Sequence, residues 1–236
     1  MGGTKILTLG LGAAQAYALV GEKGTVLIDA GLSGTRLLRA LSRERIAITD
    51  LSLLLVTHAH ADHFGGASAL LEVAPKLQTG MGRLDAIALA ANAGADVDLS
   101  PIGAKGAMAA AIVHVGVLPR GPAFVPGIVF DGGESLAAYG VDAEVLAAPG
   151  HTRGSLVVLV PGACDRAGRS LGTAAIVGDL VMGGCVLSGI PSAPFFGEMG
   201  TICASLALLK SKGVTIIHPG HGGPLVAQKV WTRFGV

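Results

Sequence analysis

Seven histidines occur in the chain, and three of them fall in one short run, His58-Ala59-His60-Ala61-Asp62-His63. His58 and His60 are two positions apart, so on an extended backbone they point the same way. Asp62 and His63 follow at once. Four ligand-type side chains this close in the chain can hardly diverge. Imidazole nitrogen with carboxylate oxygen suits zinc and similar divalent ions. An isolated loop histidine is more often simply solvated, but a His-x-His-x-Asp-His run at the end of an apolar stretch points to a site. Two more histidines sit in Gly-flanked turns, in Pro149-Gly150-His151 and in His218-Pro219-Gly220-His221. Asp179 closes a third apolar run, Ile176-Val177-Gly178-Asp179. Taken singly, each of these is an ordinary turn. Beside the first cluster they add donors of the same kind, and glycine next to a ligand allows close approach of the backbone.

The elements that must hold these residues are short. Leu51–Val56, directly before the cluster, is a continuous apolar run, as in a strand buried on both faces. Thr4–Leu9, Ala16–Val20 and Thr25–Ile28 read as strands, with Gly21–Gly24 as a turn between two of them. Apolar residues at 37, 38 and 41 give helical spacing over Thr35–Leu41, and Gly66–Ala74 carries a similar face. The middle, from Met81 to Pro126, is rich in Ala and Gly, with helices expected over Leu84–Ala91 and Ala107–Val113. Further strands are expected at Ser135–Tyr139, Ala143–Ala148, Leu156–Val160, Ala174–Val177 and Val214–Ile217, and a helix near Cys203–Lys210. Strands and helices alternate without an internal repeat or an evident linker. The expectation is one α/β domain spanning residues 1–236.

Composition narrows the function. The 236 residues include 17 Lys and Arg against 16 Asp and Glu, a net charge of +1 that supplies no basic footprint for nucleic acid. Mean hydropathy is +0.64, which raises the question of a membrane. The longest uncharged stretch, Leu180–Gly197, is interrupted by three glycines and two prolines, so no membrane span is expected. The N-terminus leads straight into a strand-like run, and no secretory signal is expected. Cys164, Cys185 and Cys203 form an odd, scattered set, unlike a disulfide framework, which points to a reducing, cytoplasmic compartment.

With these motifs in order, the chain resembles a metallo-β-lactamase-fold metallohydrolase over nearly its whole length. Val26-Leu27-Ile28-Asp29-Ala30-Gly31 looks like the first family motif, the His58–His63 run matches the main metal motif, and His151, Asp179 and His221 follow in family order. The resemblance implies an αββα four-layer sandwich with the metal site at one edge between the sheets. It implies two divalent ions, zinc first, with iron or manganese as alternatives. His58, His60 and His151 would hold one ion, Asp62, His63 and His221 the other, and Asp179 would bridge them. Asp29, and Thr57 at the head of the motif, would steady the metal loop through hydrogen bonds. His221 follows Pro-Gly as the family ligand does, so His218 is read as a strand-end residue and His114 as structural.

The implied chemistry is hydrolysis. Two such ions about 3.5–4 Å apart can share a hydroxide, formed from water whose pKa falls from about 15.7 to about 7. That fall is worth roughly 12 kcal/mol, at about 1.36 kcal/mol per unit. The hydroxide would attack the carbonyl of an ester, lactone, thioester or amide, with Asp62 steering it and later carrying a proton. The subfamilies are separated by departures. Fifteen residues follow His221 here, and the helical extension of glyoxalase II is not expected. Met182 stands where one zinc subclass of β-lactamases has a clamping Lys and many homoserine lactonases have Tyr. That same subclass has Cys in place of Asp179. His60 argues against the flavodiiron pattern, and neutral charge against the processing nucleases.

A mononuclear-iron persulfide dioxygenase is the main alternative, although the segment after Asp179 is apolar here. Cys185, in that segment, is read as a buried thiol. A non-catalytic binding protein of the same fold is a further alternative, disfavoured by the intact ligand set. The charge-free run Gly106–Pro119 should wall the pocket and favour a small-molecule substrate with an apolar portion, or else serve core packing or a homodimer contact.

Overall fold

The structure is a computed structural model, and it describes residues 3–12, 14–91, 100–106, 124–184 and 189–236. Strands β1 (Lys5–Gly10), β2 (Gln15–Val20) and β3 (Thr25–Ile28) form an antiparallel meander. Strands β4 (Leu51–Val56), β5 (Gln78–Gly82) and β6 (Ile128–Phe130) then add in parallel, one after another, beyond β3. The second half comprises β7 (Glu144–Ala147), β8 (Leu156–Cys164), β9 (Ser170–Gly178), β10 (Ile216–Pro219) and β11 (Leu225–Val226). Its order is β8-β9-β10-β11, with β7 paired to β8. Among the strands of the described residues, one pairing, Lys5 of β1 with Cys164 of β8, links the two halves.

The packing explains why so many strands are apolar on both faces. Leu53 and Leu55 of β4 point into a central core shared with Val158 and Val160 of β8 and Ile176 of β9. Leu54 and Val56 point the other way, into a core with helices α1 (Gly34–Arg43) and α3 (Ala67–Val73). On the far side, Val157 and Val177 pack under helices α5 (Met199–Ser211) and α6 (Ala227–Phe234). Two further helices, short or peripheral, are α2 (Ala61–Phe64) and α4 (Arg83–Ala91). Three apolar layers between helix, sheet, sheet and helix are the expected αββα sandwich. Among the described residues, no helix is long and apolar enough to cross a membrane.

Local sequence accounts for several boundaries. Ser33 caps α1 by accepting from the Arg36 amide, and Leu37, Ala40 and Leu41 form its buried stripe. Glu198 caps α5, accepting from the amides of Gly200 and Thr201. One expectation fails: Ser135–Tyr139 is not a strand. Ser135 makes one isolated bridge with Glu144, and Ala137–Tyr139 is a single 3₁₀ turn. Leu136 is the one buried side chain there, so nothing requires an extended run. Strands β5, β6 and β11 and helix α6 were not expected. Strand β5 contains Gly80 and Gly82, and pairing to β4 and β6 on either side holds it extended. Residues 107–119, His114, Cys185 and the helix expected over Ala107–Val113 lie outside the described residues.

Candidate metal centre

The site forms where strands end. Strand β4 stops at Val56, the loop Thr57–His60 carries the first two histidines, and His60 is the N-cap of α2, which presents Asp62 and His63. His151 lies in the turn between β7 and β8, Asp179 directly after β9, and His221 just after β10. Parallel pairing of β9 with β10 brings the last two ends side by side. All seven expected ligands thus meet at one edge of the sandwich.

They meet as two groups. His151 Nε2 lies 3.2 Å from His58 Nε2 and 2.9 Å from His60 Nδ1. His221 Nε2 lies 3.1 Å from Asp62 Oδ2 and 3.2 Å from Asp179 Oδ2. Asp179 stands between the groups, with Oδ1 3.4 Å from His63 Nε2 and Oδ2 3.9 Å from His151 Nε2. Three sets of donors converge closely enough for a metal ion: His58, His60 and His151; His58, His63 and Asp179; and Asp62, His63 and His221. Most of these side chains are buried; Asp62, at 39% exposure, is the most open to solvent.

Neighbouring groups settle which nitrogen faces inward. Asp29 accepts from the Thr57 amide at 2.7 Å, from the Thr57 hydroxyl at 2.9 Å and from His63 Nδ1 at 2.8 Å. The Thr57 hydroxyl has given its hydrogen to Asp29, so its 3.0 Å contact with His58 Nδ1 is donated by the ring. That leaves His58 Nε2 as a bare acceptor. His151 Nδ1 donates to the Phe196 carbonyl at 2.9 Å, leaving Nε2 bare as well. His63 Nδ1 is committed to Asp29, and its Nε2, like Asp179 Oδ1, is buried without a hydrogen-bond partner. Inward-facing lone pairs and partnerless buried donor atoms are what a bound cation would satisfy.

The electrostatics divide along the same line. Burial, and then the neighbouring imidazoles, hold His58 well below the ordinary histidine range and His151 down to about 3. Both are neutral near pH 7 and ready to ligate. Burial would also lower His63 and His221, but carboxylates outweigh it. Asp29, Asp179 and Asp62 push His63 up, and Asp179 and Asp62 push His221 up to about 10. Burial would raise Asp62 and Asp179, yet His63 and His221 hold both below the usual carboxylate range. In the absence of a cation, protons on these two histidines neutralise the carboxylates. A divalent ion does the same with its own charge.

Three contributors escaped sequence reasoning. Phe196 supplies the carbonyl that orients His151, and its ring lies edge-on to His60 with centroids 6.2 Å apart. Asp85, on α4, accepts from Ala59, Thr152 and Gly154. Its only signal in the sequence is a lone acid inside the apolar stretch Leu84–Ala91. Tyr17 of β2 donates to the Pro219 carbonyl at 2.6 Å, bracing the turn that carries His221. His218 lies within β10, edge-on to Tyr17, and burial lowers it to about 4.

Comparison with known proteins bears on the fold and the family. A metallo-β-lactamase superfamily model matches residues 9–221. No curated protein matches the sequence. Among solved structures, the chain is similar to a B3 metallo-β-lactamase with an active-site glutamic acid, at 20% identity and a TM-score of 0.67, covering 98% of this chain and 85% of that one. It is similar to the metallo-β-lactamase MIM-1 from Novosphingobium pentaromativorans, at 17% identity and a TM-score of 0.66, with 94% and 75% covered. It is also similar to BJP-1, a subclass B3 enzyme of Bradyrhizobium japonicum, at 17% identity and a TM-score of 0.63, with 94% and 76% covered. At these identities the likeness speaks for the fold, whereas the family model spans the first motif through to His221, and on that match the chain belongs to the metallo-β-lactamase superfamily.

Proposed function

We propose that this chain is a single-domain, dinuclear metallohydrolase acting on a carbonyl substrate: an ester, lactone, thioester or amide. The observation that carries the reading is the pairing of two convergent donor groups across one carboxylate. His58, His60 and His151 would hold one divalent ion, Asp62, His63 and His221 the other, and Asp179 would touch both. Zinc fits this nitrogen and carboxylate set best, with iron or manganese as alternatives. When bound, the two ions supply a Lewis acid for the carbonyl oxygen and lower the pKa of water to near 7.

The chain's own residues do the rest. Neutral His58 and His151 keep their lone pairs turned inward at working pH. Asp62 is ionised and partly open to solvent, so it is placed to orient an attacking water and to take up its proton. Asp29 and Thr57 hold the loop and fix the ring of His63. The cytoplasmic location belongs to the same reading, supported by free thiols at Cys164 and Cys203.

The test is elemental analysis of the purified protein with turnover on a panel of lactones, thioesters, esters and amides, β-lactams included. About two equivalents of metal per chain and hydrolysis of at least one class are expected. His60→Ala should lose more than the 10–100-fold that outer partners typically contribute. One tightly bound iron per chain, with oxygen consumed on a persulfide, would move the protein to the dioxygenase reading.

A further inference from the structure

The two donor groups lean on different carboxylates. Asp29 bonds the ring of His63 directly and reaches His58 only through the Thr57 hydroxyl. Asp85, in the first turn of α4, is 1% exposed and accepts three hydrogen bonds. The Ala59 amide donates to Oδ2 at 2.9 Å, the Thr152 hydroxyl to Oδ2 at 2.7 Å, and the Gly154 amide to Oδ1 at 2.7 Å. Ala59 lies between His58 and His60, and Thr152 follows His151. Every one of these donors therefore sits in a segment carrying a member of the three-histidine group.

The surroundings are built around this carboxylate. Ser155 Oγ accepts from the Thr152 amide at 3.0 Å and lies 2.7 Å from the Thr152 hydroxyl. With the hydroxyl hydrogen given to Asp85, Ser155 is left to donate to Thr152. A Cβ at Gly154 would stand 2.3 Å from the Asp85 amide nitrogen and 2.5 Å from Oδ1, so only glycine admits the carboxylate this close. Leu156 also donates to the Thr57 carbonyl at 2.9 Å, which ties the start of β8 to the head of the metal loop. The His151 turn and the His58–His60 loop are otherwise far apart in the chain. A buried anion that bonds both sets their separation, and with it the distance between His151 and its two partners.

We propose that Asp85 is a positioning residue for the three-histidine group, as Asp29 is for the group containing His63, so that each ion position has its own buried carboxylate. This rests on the dinuclear metal reading above. Loss of Asp85 should weaken one ion position and spare the other, a selectivity that a general packing role would not produce.

The experiment is zinc titration of chelator-stripped, full-length protein against a chromophoric competitor, for Asp85→Asn, Asp29→Asn and each combined with His60→Ala. Asp85→Asn keeps the shape but turns an amide NH₂ toward backbone donors. One of the two zinc affinities should fall 10–100-fold and the other should hold. In the His60→Ala background Asp85→Asn should add nothing further, whereas Asp29→Asn should still weaken the remaining ion. The melting temperature of the metal-free proteins separates folding from positioning. If Asp85→Asn fails to fold, Thr152→Val, which removes one donor at nearly constant volume, should show the same selectivity at smaller size. Equal weakening of both ions, or native affinities beside a lowered melting temperature, would overturn the inference and leave the metal reading intact. A wild-type protein that takes up no zinc would overturn the metal reading itself, and this inference with it.

Discussion

Replacing Asp29 by Asn is the sharpest probe of the site, because the three bonds it accepts divide between its two oxygens. Oδ1 takes the Thr57 amide at 2.7 Å, and Oδ2 takes the Thr57 hydroxyl at 2.9 Å and His63 Nδ1 at 2.8 Å. The left-handed backbone at Asp29, φ +62°, suits Asn as well as Asp, so the chain path is kept. A backbone amide cannot reverse its role, so the Asn oxygen must stay with Thr57. Its NH₂ then faces His63 Nδ1, which becomes the acceptor. The ring proton moves to Nε2, the atom 3.4 Å from Asp179 Oδ1 that an ion would need. A hydrogen bond to a charged group is worth about 1.5–3 kcal/mol. Partners of metal ligands typically contribute about 10–100-fold, or about 1.4–2.8 kcal/mol, so both routes give the same size. The ion held by Asp62, His63 and His221 should therefore bind about 10–100-fold more weakly, and the three-histidine position should weaken too, because the Thr57 hydroxyl loses its acceptor and turns its hydrogen to His58 Nδ1. Competitive zinc titration measures the affinity, and nitrogen-15 NMR of the imidazoles reads the tautomer of His63. Native affinity at both positions, or a His63 that keeps its proton on Nδ1, would refute the reasoning.

Further outcomes follow from the same geometry. Asp179→Asn removes the shared negative charge and should weaken the Asp62/His63/His221 ion most, read as metal content falling from about two equivalents toward about one. Gly220→Ala would put a Cβ 2.4 Å from Asp179 Oδ1 and 2.5 Å from His63 Cε1. Overpacking of this kind costs about 1–3 kcal/mol, and a lowered melting temperature with reduced zinc content is expected. Proton release should differ between the positions. His221 is held near 10, so at pH 8 it is protonated in the metal-free protein, and carboxylates push His63 in the same direction, so an ion there should expel at least one proton. His58 and His151 are neutral at that pH and should release none when the three-histidine position fills. Zinc affinity at the first of these positions should therefore rise with pH until His221 has lost its proton. Calorimetry in buffers of different ionisation enthalpy counts the protons, and equal release at both positions would contradict the assignment.

Much of the site is written in the sequence because its ligands come at strand ends, and strand ends are marked by apolar runs that stop at Gly, Asp or His. His58, His60, Asp62 and His63 are close in the chain, so no fold is needed to bring them together. Leu51–Val56 announces itself as buried on both faces, and the structure puts it between two apolar layers. Asp85 and Phe196 were not legible. Neither carries a spacing signal, since their partners lie 26 to 69 residues away for Asp85 and 45 for Phe196. Strand β5 was hidden because pairing on both sides, not side-chain pattern, keeps its glycines extended. The sequence determined which residues offer donor atoms and where the chain turns. Tertiary structure alone decided which ring nitrogen faces inward, which histidines are neutral and which are held protonated, because those depend on carboxylates and carbonyls delivered from distant elements into a buried, low-dielectric space.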